Sequence, residues 1–293
     1  PTRMAVGTHG QELFRTSIQP VESIESLARY EDKSMVVFDQ GTGLAYPGTP
    51  YASLTFDYDA DPVGDPYYDG LRDDLFVTIQ EFRPRLFLNQ GELLSVAPGD
   101  EGNPDYIDVS SDAFDYMSDS GYRGASFADF DNDGLVDLFV AHASTPKLLN
   151  NEGNNGTVVT FEDVTDLYGL TALLSNSWTA AWCDYNRDGY VDLFVGRGLA
   201  PTADPLENKE ALTGLPDVLL ENRTWCGEGF VDVSDILSGA TGGDGCTLSA
   251  SWAYVDQDRW PDLLAWDSSN SGLSRLWMNQ QGEGFVEDFA GRF

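Results

Sequence analysis

Short apolar runs recur along the chain, and most of them alternate small, aromatic or β-branched residues with polar ones. Alternation with a period of two residues is typical of half-buried β-strands, and the Gly, Asn and Asp residues between the runs are typical of tight turns. The best helical pattern is VESIESLAR at residues 21–29, where we expect one short helix. The pattern predicts an all-β protein.

Three stretches of sequence repeat the same order of features, and a fourth carries an insertion. Each has an alternating run, a polar Asp/Asn loop, and then Asp followed by apolar residues. The copies read LTFDYDADPVGDPYYDGLRDDLFV, GASFADFDNDGLVDLFVAH, SWTAAWCDYNRDGYVDLFVGR and LSASWAYVDQDRWPDLLAW. We name their loops after the first residue: the Asp57, Asp129, Asp184 and Tyr254 loops.

Two further segments follow each loop. The first is apolar and ends at or near Asn: RLFLNQGE, KLLNNEG, VLLENRT and RLWMNQQGEG. The second closes the unit: YIDVSS, TFEDVT, FVDVSD and FVEDF. Each unit therefore holds four short strands, and radial repetition of four-stranded antiparallel sheets makes a β-propeller. A solenoid is the competing repeat architecture, but its repeats are usually shorter.

We predict one β-propeller domain over the whole chain. Its units are roughly 1–50, 51–115, 116–170, 171–240 and 241–293. The first unit has strand-like pieces but no Asp loop. Three arrangements stay open: a ring of about five blades, part of a seven-bladed ring, or a ring that a strand from another subunit completes.

The Asp129 loop has the spacing of a cation site, with acids at positions one, three, five and nine and Gly134 at position six. Alternate residues of a tight loop can direct oxygens at one centre, and Gly permits the positive φ of the turn. Several carboxylates with one backbone carbonyl suit Ca²⁺ better than Mg²⁺. The predicted ligands are Asp129, Asp131, Asp133, the carbonyl of Leu135, and Asp137.

The other loops match this spacing to different degrees, so two to three structural calcium sites are expected. The Asp184 loop offers Asp184, Asn186, Asp188, Tyr190 and Asp192. The Asp57 loop offers Asp57, Asp59, either Asp61 or Asp69, Leu71 and Asp73. The Tyr254 loop keeps Asp256, Asp258 and Asp262 but has Tyr254 at position one and Arg259 at position six, which predicts a weak or empty site. An EF-hand is excluded because position twelve is Val140 or Val195 in an apolar run.

The combination of Asp loop, DLFV and F-x-D-V-T resembles the FG-GAP/VCBS repeat family, and is most similar to its ASPIC/UnbV-type and cartilage-acidic-protein-like variants. The resemblance covers about residues 51–290 and, more faintly, 1–50. It implies a propeller with calcium in the blade hairpins, an extracellular location, and adhesion or scaffolding. The literal Phe-Gly and Gly-Ala-Pro elements are absent, so an integrin-like ligand role is not implied.

The formal charge is −33. Such a field repels nucleic acid and anionic lipid and attracts cations, although acidity also serves solubility. No run of about 18 apolar residues predicts a membrane span. The chain begins at Pro1, as a processed exported protein or a trimmed one would. Sequons occur at Asn155 and Asn222, and Cys226 and Cys246 either pair or remain free thiols.

The sequence favours a structural, adhesive or self-assembling protein over an enzyme. It lacks G-x-S-x-G, H-E-x-x-H and Gly-rich phosphate loops, and its two histidines stand near the ends of strand-like runs. A monomeric glycan- or protein-binding propeller is the alternative, and a calcium-dependent polysaccharide lyase is the second alternative. The seven Trp residues all follow residue 177 and serve either core packing, with Trp178 and Trp252 at similar places, or carbohydrate stacking. Expected partners are protein, self or carbohydrate.

Overall fold

The computed structural model describes residues 50–58, 73–79, 82–89, 106–114, 117, 120–154, 159–198, 215–237, 247–256, 258–267 and 274–288. The chain divides into two compact units, Pro1–Ser120 and Gly121–Phe293. The predicted strand pieces of the first 49 residues and the helix at 21–29 lie outside the described residues, so they stay predictions. Among the described residues, no helix has the length and apolar character needed to cross a membrane.

Among its described residues, the first unit contains one four-stranded antiparallel sheet whose strands are neighbours in chain order. Its strands are β1 (Pro50–Phe56), β2 (Asp74–Ile79), β3 (Phe82–Asn89) and β4 (Tyr106–Asp108). A single helical turn, α1 (Ser110–Ala113), follows the last strand. Every residue of β2 is buried, as expected for a strand that is covered on both faces.

The second unit contains, in the part that the structure describes, three sheets with the same order. The first consists of β5 (Tyr122–Ala128), β6 (Asp137–His142), β7 (Lys147–Asn154) and β8 (Val159–Asp163). The second consists of β9 (Ser177–Cys183), β10 (Asp192–Arg197), β11 (Val218–Arg223) and β12 (Gly229–Asp232). The third consists of β13 (Thr247–Ala253), β14 (Asp262–Asp267), β15 (Arg275–Asn279) and β16 (Phe285–Glu287).

The described connections of the second unit hold the short helix α2 (Leu170–Leu173) and two 3₁₀ turns, Thr224–Cys226 and Ser234–Ile236. In the part of the chain that the structure describes, the elements are four blade-like antiparallel sheets and a few short helical segments, which confirms the predicted all-β class. β1 begins at Pro50, one residue before the predicted unit 51–115, and the division into five units stays a prediction.

Successive sheets of the second unit pack face to face through the second and third strands. Phe139 and Leu148 of one sheet share a buried cluster with Leu193 and Leu220 of the next. Phe194 and Leu219 in turn share a cluster with Leu263 and Trp277 of the last sheet. The DLFV run is buried because its alternate side chains enter the cores on opposite sides of one sheet.

The first strands of the three sheets lie side by side, β5 next to β9 and β9 next to β13. Gly124 in β5 allows this approach, because a Cβ atom there would lie 2.3 Å from the carbonyl oxygen of Trp178. Only glycine accommodates a neighbouring backbone at that distance. The first strands β5 and β9 therefore pack backbone against backbone at Gly124.

The closing D-V-[ST] motif joins the end of the fourth strand to the third. The hydroxyl of Thr165 accepts the N–H of Leu148 at 2.8 Å, and the hydroxyl of Ser234 accepts the N–H of Leu219 at 3.0 Å. In the first unit the hydroxyl of Ser110 accepts the N–H of Leu86 at 2.9 Å. In these three sheets the hydroxyl thus accepts a backbone N–H of the third strand that lies just beyond the residues paired with the fourth strand.

Aromatic rings stack between successive sheets at the loop end. Trp182 stacks on Phe130, and Trp252 stacks on Tyr185, each with centroids 6.4 Å apart and an interplanar angle of 9°. Trp182 pairs with Leu193 and Trp252 pairs with Leu263, so these two tryptophans are equivalent. The expectation that Trp178 matches Trp252 was wrong.

Candidate metal centre

The Asp129 loop brings three of its predicted ligands together. One oxygen each from Asp129, Asp131 and Asp137 lies within 4.8 Å of the other two. The N–H of Asp133 donates to Asp129 Oδ1 and to Asp131 Oδ1, both at 3.1 Å, and the N–H of Gly134 donates to Asp129 Oδ2 at 3.0 Å. The backbone of the loop therefore orients the carboxylates toward one another.

Left-handed backbone conformations produce the tight turn. Gly134 has a φ of 93°, as the position-six glycine was predicted to have, and Asn132 has a φ of 61°. Asn tolerates this region better than most residues with a side chain. The carboxylate of Asp133 is exposed and accepts the N–H of Leu135 at 2.8 Å. Asp133 was predicted as a ligand, but it lies outside the three-carboxylate group.

Asp137 is fully buried, and both of its carboxylate oxygens accept backbone hydrogen bonds. Its Oδ2 accepts the N–H of Phe130 at 2.9 Å, and its Oδ1 accepts the N–H of Asn151 at 2.8 Å. Burial, with the charges of Asp131 and Asp133, raises the pKa of Asp137 to about 7 although these two donors oppose the shift. The raised pKa shows that the charged form of Asp137 is disfavoured without a nearby positive charge.

The Asp184 loop has the same internal hydrogen bonds. The N–H of Asp188 donates to Asp184 Oδ1 and to Asn186 Oδ1, both at 3.0 Å, and the N–H of Gly189 donates to Asp184 Oδ2 at 3.0 Å. Burial, with the charges of Asp188 and Asp184, raises the pKa of Asp192 to about 8. Asn186 supplies a neutral oxygen where the Asp129 loop has Asp131. Tyr190 donates its N–H to Asp188 Oδ1 at 2.9 Å.

The Tyr254 loop keeps the fold of the other loops with fewer acids. Asp262 is fully buried, and its Oδ2 accepts the N–H of Val255 at 2.9 Å. The N–H of Asp258 donates to Asp256 Oδ1 at 2.9 Å. Arg259 has a φ of 72° at the position where the other loops have glycine. The three acids are therefore held by backbone bonds even though position one is Tyr254.

The Asp57 loop requires a correction of one residue. Asp74, not Asp73, is fully buried at the start of β2, and its Oδ2 accepts the N–H of Tyr58 at 3.2 Å. Asp74 pairs with Phe56 as Asp137 pairs with Ala128, so Asp74 holds position nine. Asp57 is described, whereas Asp59, Asp61, Asp69 and Leu71 lie outside the described residues and stay predictions.

The sequon at Asn222 also requires a correction. Asn222 is fully buried, and its side-chain amide donates to the carbonyls of Phe130 at 2.7 Å and Val191 at 3.0 Å. A glycan on this buried nitrogen would have no space and would replace at least one of the two bonds, so the asparagine is structural. Asn155 lies outside the described residues.

The predicted cysteine pair is described at one end only. Cys226 is exposed, with its sulfur 3.2 Å from the carbonyl oxygen of Arg223. Cys246 lies outside the described residues, so the pairing stays a prediction.

The residues that sequence reasoning missed are asparagines of the third strands, each of which follows the apolar part of its strand. Asn279 repeats the contacts of Asn222, since its amide donates to the carbonyls of Tyr185 and Pro261, both at 3.0 Å. Asn151 donates to the carbonyl of Val136 at 3.1 Å. Each of these asparagines follows the apolar segment of the third strand in its unit. This regular position is the signal that could have identified them as structural residues.

Comparison with known proteins agrees with these repeats. Residues 129–195 match the family model of the FG-GAP-like repeat. This segment begins at the first acid of the Asp129 loop and extends past Asp192 into β10, so it contains both loops that carry the full spacing. No curated protein matches the chain. Residues 129–195 are therefore similar to an FG-GAP-like repeat, which confirms the predicted resemblance over this segment.

Proposed function

We propose that this chain is an extracellular β-propeller that calcium stabilises and that serves as a structural, adhesive or self-assembling scaffold. The observation that carries the proposal is the group of Asp129, Asp131 and Asp137, whose ligand oxygens lie within 4.8 Å of one another. The FG-GAP-like repeat at residues 129–195 supports it, because repeats of this family are found in extracellular binding and scaffold proteins.

The donor set of the Asp129 loop fits a calcium ion. All candidate ligands are oxygens, which a hard cation of flexible coordination geometry prefers. Asp129, Asp131 and Asp137 would hold the ion, with Asp133 and the carbonyl of Leu135 as further donors. The ion would neutralise carboxylates whose mutual repulsion otherwise opposes folding.

The Asp184 loop would hold a second ion through Asp184, Asn186, Asp188 and Asp192. Its backbone bonds copy those of the Asp129 loop, but it contains one carboxylate fewer. Lower ligand charge reduces calcium affinity in loops of this kind. We therefore expect the Asp184 site to bind more weakly than the Asp129 site.

The role that follows for calcium is structural. Each loop joins the first two strands of a sheet, and Asp137 and Asp192 bind the backbone of both the loop and the third strand. An ion held there would fix three parts of one sheet together. A scaffold of this type presents surfaces to protein partners or to further copies of itself.

Calcium addition to the metal-free chain tests the proposal. Equilibrium dialysis should find two to three tightly bound ions, and isothermal titration should detect binding of Ca²⁺ in preference to Mg²⁺. Light scattering in calcium would then show whether the chain self-associates. Absence of calcium binding at millimolar concentration would contradict the proposal.

A second candidate function is glycan or protein binding, and two exposed tryptophans favour it. Trp225 and Trp266 are 62% and 55% exposed, whereas Trp277 is fully buried. Exposed aromatic rings are the side chains on which sugars stack. Trp225→Ala and Trp266→Ala should each weaken binding to a glycan that the wild type retains, with Trp178→Phe as the control.

A further inference from the structure

A series of hydrogen bonds joins the position-nine aspartates of successive sheets in the second unit. Asp137 Oδ2 accepts the N–H of Phe130 at 2.9 Å. The carbonyl of Phe130 accepts the side-chain amide of Asn222 at 2.7 Å. The backbone N–H of Asn222 donates to Asp192 Oδ1 at 2.9 Å. Asp137, Asn222 and Asp192 are all fully buried, so water does not compete for these bonds.

The same connections continue to the last sheet. Asp192 Oδ2 accepts the N–H of Tyr185 at 3.0 Å, and the carbonyl of Tyr185 accepts the side-chain amide of Asn279 at 3.0 Å. The backbone N–H of Asn279 donates to Asp262 Oδ1 at 2.9 Å. We call this series, from Asp137 to Asp262, the asparagine relay.

The carbonyls of the relay belong to Phe130 and Tyr185, which lie between candidate cation ligands in the sequence. Phe130 stands between Asp129 and Asp131, so an ion that fixes both carboxylates also fixes the direction of the Phe130 carbonyl. The side-chain amide of Asn222 donates to this carbonyl, and its backbone N–H donates to Asp192 of the next site. A fixed Phe130 carbonyl therefore also restricts the position of Asp192. Its Oδ1 is held by the N–H and hydroxyl of Thr224, at 3.0 and 2.8 Å, so the amide cannot turn freely.

A second contact joins the two loops at the surface. The side-chain amide of Asn132 donates to the carbonyl of Gly189 at 3.1 Å, and the N–H of Gly189 donates to Asp184 Oδ2 at 3.0 Å. This contact is exposed and therefore weaker than the buried one. Both contacts lead from the Asp129 loop to ligands of the Asp184 loop.

We infer that Asn222 is a positioning residue that couples cation binding at the Asp129 loop to cation binding at the Asp184 loop, with positive cooperativity. The inference rests on the proposed function. Binding at one loop orders the peptide that Asn222 contacts, so less ordering is left for the second ion to impose. Direct repulsion between two cations would instead give negative cooperativity, and that repulsion weakens with added salt.

A thermodynamic cycle in the full chain tests the coupling. Asp131→Ala disables the first site, because it removes a ligand oxygen that asparagine would keep, and isothermal titration at physiological salt then measures the calcium Kd of the second site. The expected result is a loss of roughly fivefold in affinity at the second site. In the Asn222→Asp background, which keeps the shape but removes the amide donor, Asp131→Ala should change that Kd by less than about twofold.

Asn279→Asp is the matched control, because Asn279 holds the same position one sheet later. In that background the roughly fivefold effect of Asp131→Ala should persist. A fivefold effect that survives Asn222→Asp would overturn the role of Asn222. Two independent sites in the wild type would overturn the coupling while the proposed calcium scaffold stands, and a wild type without calcium binding would overturn both.

Hydrogen exchange gives a test that needs no change at Asn222. Asp184→Ala disables the second site, and calcium is then added to fill the first. Slower exchange of the amides of residues 185–192 is the expected result. Unchanged exchange there, with slower exchange in residues 129–137, would contradict the coupling.

Discussion

The side-chain amide of Asn222 donates a 2.7 Å hydrogen bond to the carbonyl of Phe130, a residue that lies 92 positions earlier in the chain. The same amide donates to the carbonyl of Val191 at 3.0 Å in its own sheet. One asparagine therefore joins the Asp loops of two sheets. Asn279 makes the equivalent pair of bonds to Tyr185 and Pro261, so the contact is a repeated element of the fold.

Asn222→Ala should destabilise the protein by about 2–4 kcal/mol, because it leaves two buried carbonyls without a donor and removes packed atoms. Urea denaturation in calcium measures the change in the free energy of unfolding. Asn150→Ala is the control, since the Asn150 amide makes an exposed bond to Glu152, and its cost should stay within about 0.5 kcal/mol. Equal effects of the two variants would show that the buried bonds are unimportant.

Asp131→Ala should remove much of the stabilisation by calcium, because Asp131 belongs to the three-carboxylate group of the Asp129 loop. Without calcium the same variant should be as stable as the wild type or more so, since one repelling charge is lost. Asp256→Ala in the Tyr254 loop is the control, and it should leave the calcium-dependent shift in Tm unchanged. A large loss in Asp256→Ala would show that the Tyr254 loop also binds the ion.

Gly124→Ala should destabilise the protein by about 1–3 kcal/mol, because the added carbon would lie 2.3 Å from the carbonyl oxygen of Trp178 in the adjacent first strand. Gly284→Ala is the control, as its nearest neighbour would be the carbonyl oxygen of Ile236 at 3.5 Å, an ordinary contact. Thermal denaturation of both variants measures the difference. Similar melting temperatures would mean that the first strands pack less closely than described.

Local sequence patterns predicted the parts of the fold that local interactions determine. The DLFV runs of β6 and β10 and the glycines at 134 and 189 stand where alternation and turn chemistry placed them. The exact register around the insertion in the Asp57 loop was missed. Two acids stand side by side there, and only the pairing of Asp74 with Phe56 identifies the one that is buried.

Contacts between sheets could not be read from the sequence. Asn222 begins an Asn-Arg-Thr sequon, and the sequence gives no sign that its amide is bonded to a residue 92 positions away. The sequence places Trp178 and Trp252 in similar alternating runs, whereas strand pairing shows that Trp182 is the residue equivalent to Trp252. In both cases the deciding information is a tertiary contact, which a single sequence does not contain.

Asp217 should make stability depend on pH, because burial raises its pKa to about 6 although the N–H of Arg197 and the hydroxyl of Thr247 oppose the shift. A raised carboxyl pKa means that the folded state holds the proton more tightly than the unfolded state. The stability that this proton contributes is complete below the ordinary pKa of 3.8 and is lost as pH rises through about 6. Asp217→Asn should reduce the fall in Tm between those values.

The control for the Asp217 experiment is Asp232→Asn, because Asp232 is exposed. Its Tm profile over the same pH range should follow that of the wild type. All proteins should be measured at the same calcium concentration, so that protonation of the metal loops contributes equally to the variants and to the wild type. An Asp217→Asn profile as steep as that of the wild type would rule out Asp217 as the source of the slope.

Melting of the full chain in EDTA and in millimolar calcium tests the central claim most directly. Binding of one ion at a concentration a hundred times its Kd stabilises the folded state by about 2.7 kcal/mol. For a chain of this size the Tm should therefore rise by roughly 5–10 °C per occupied site, and magnesium at equal concentration should give a smaller shift. Equal melting temperatures in EDTA and in calcium would contradict a calcium-stabilised scaffold.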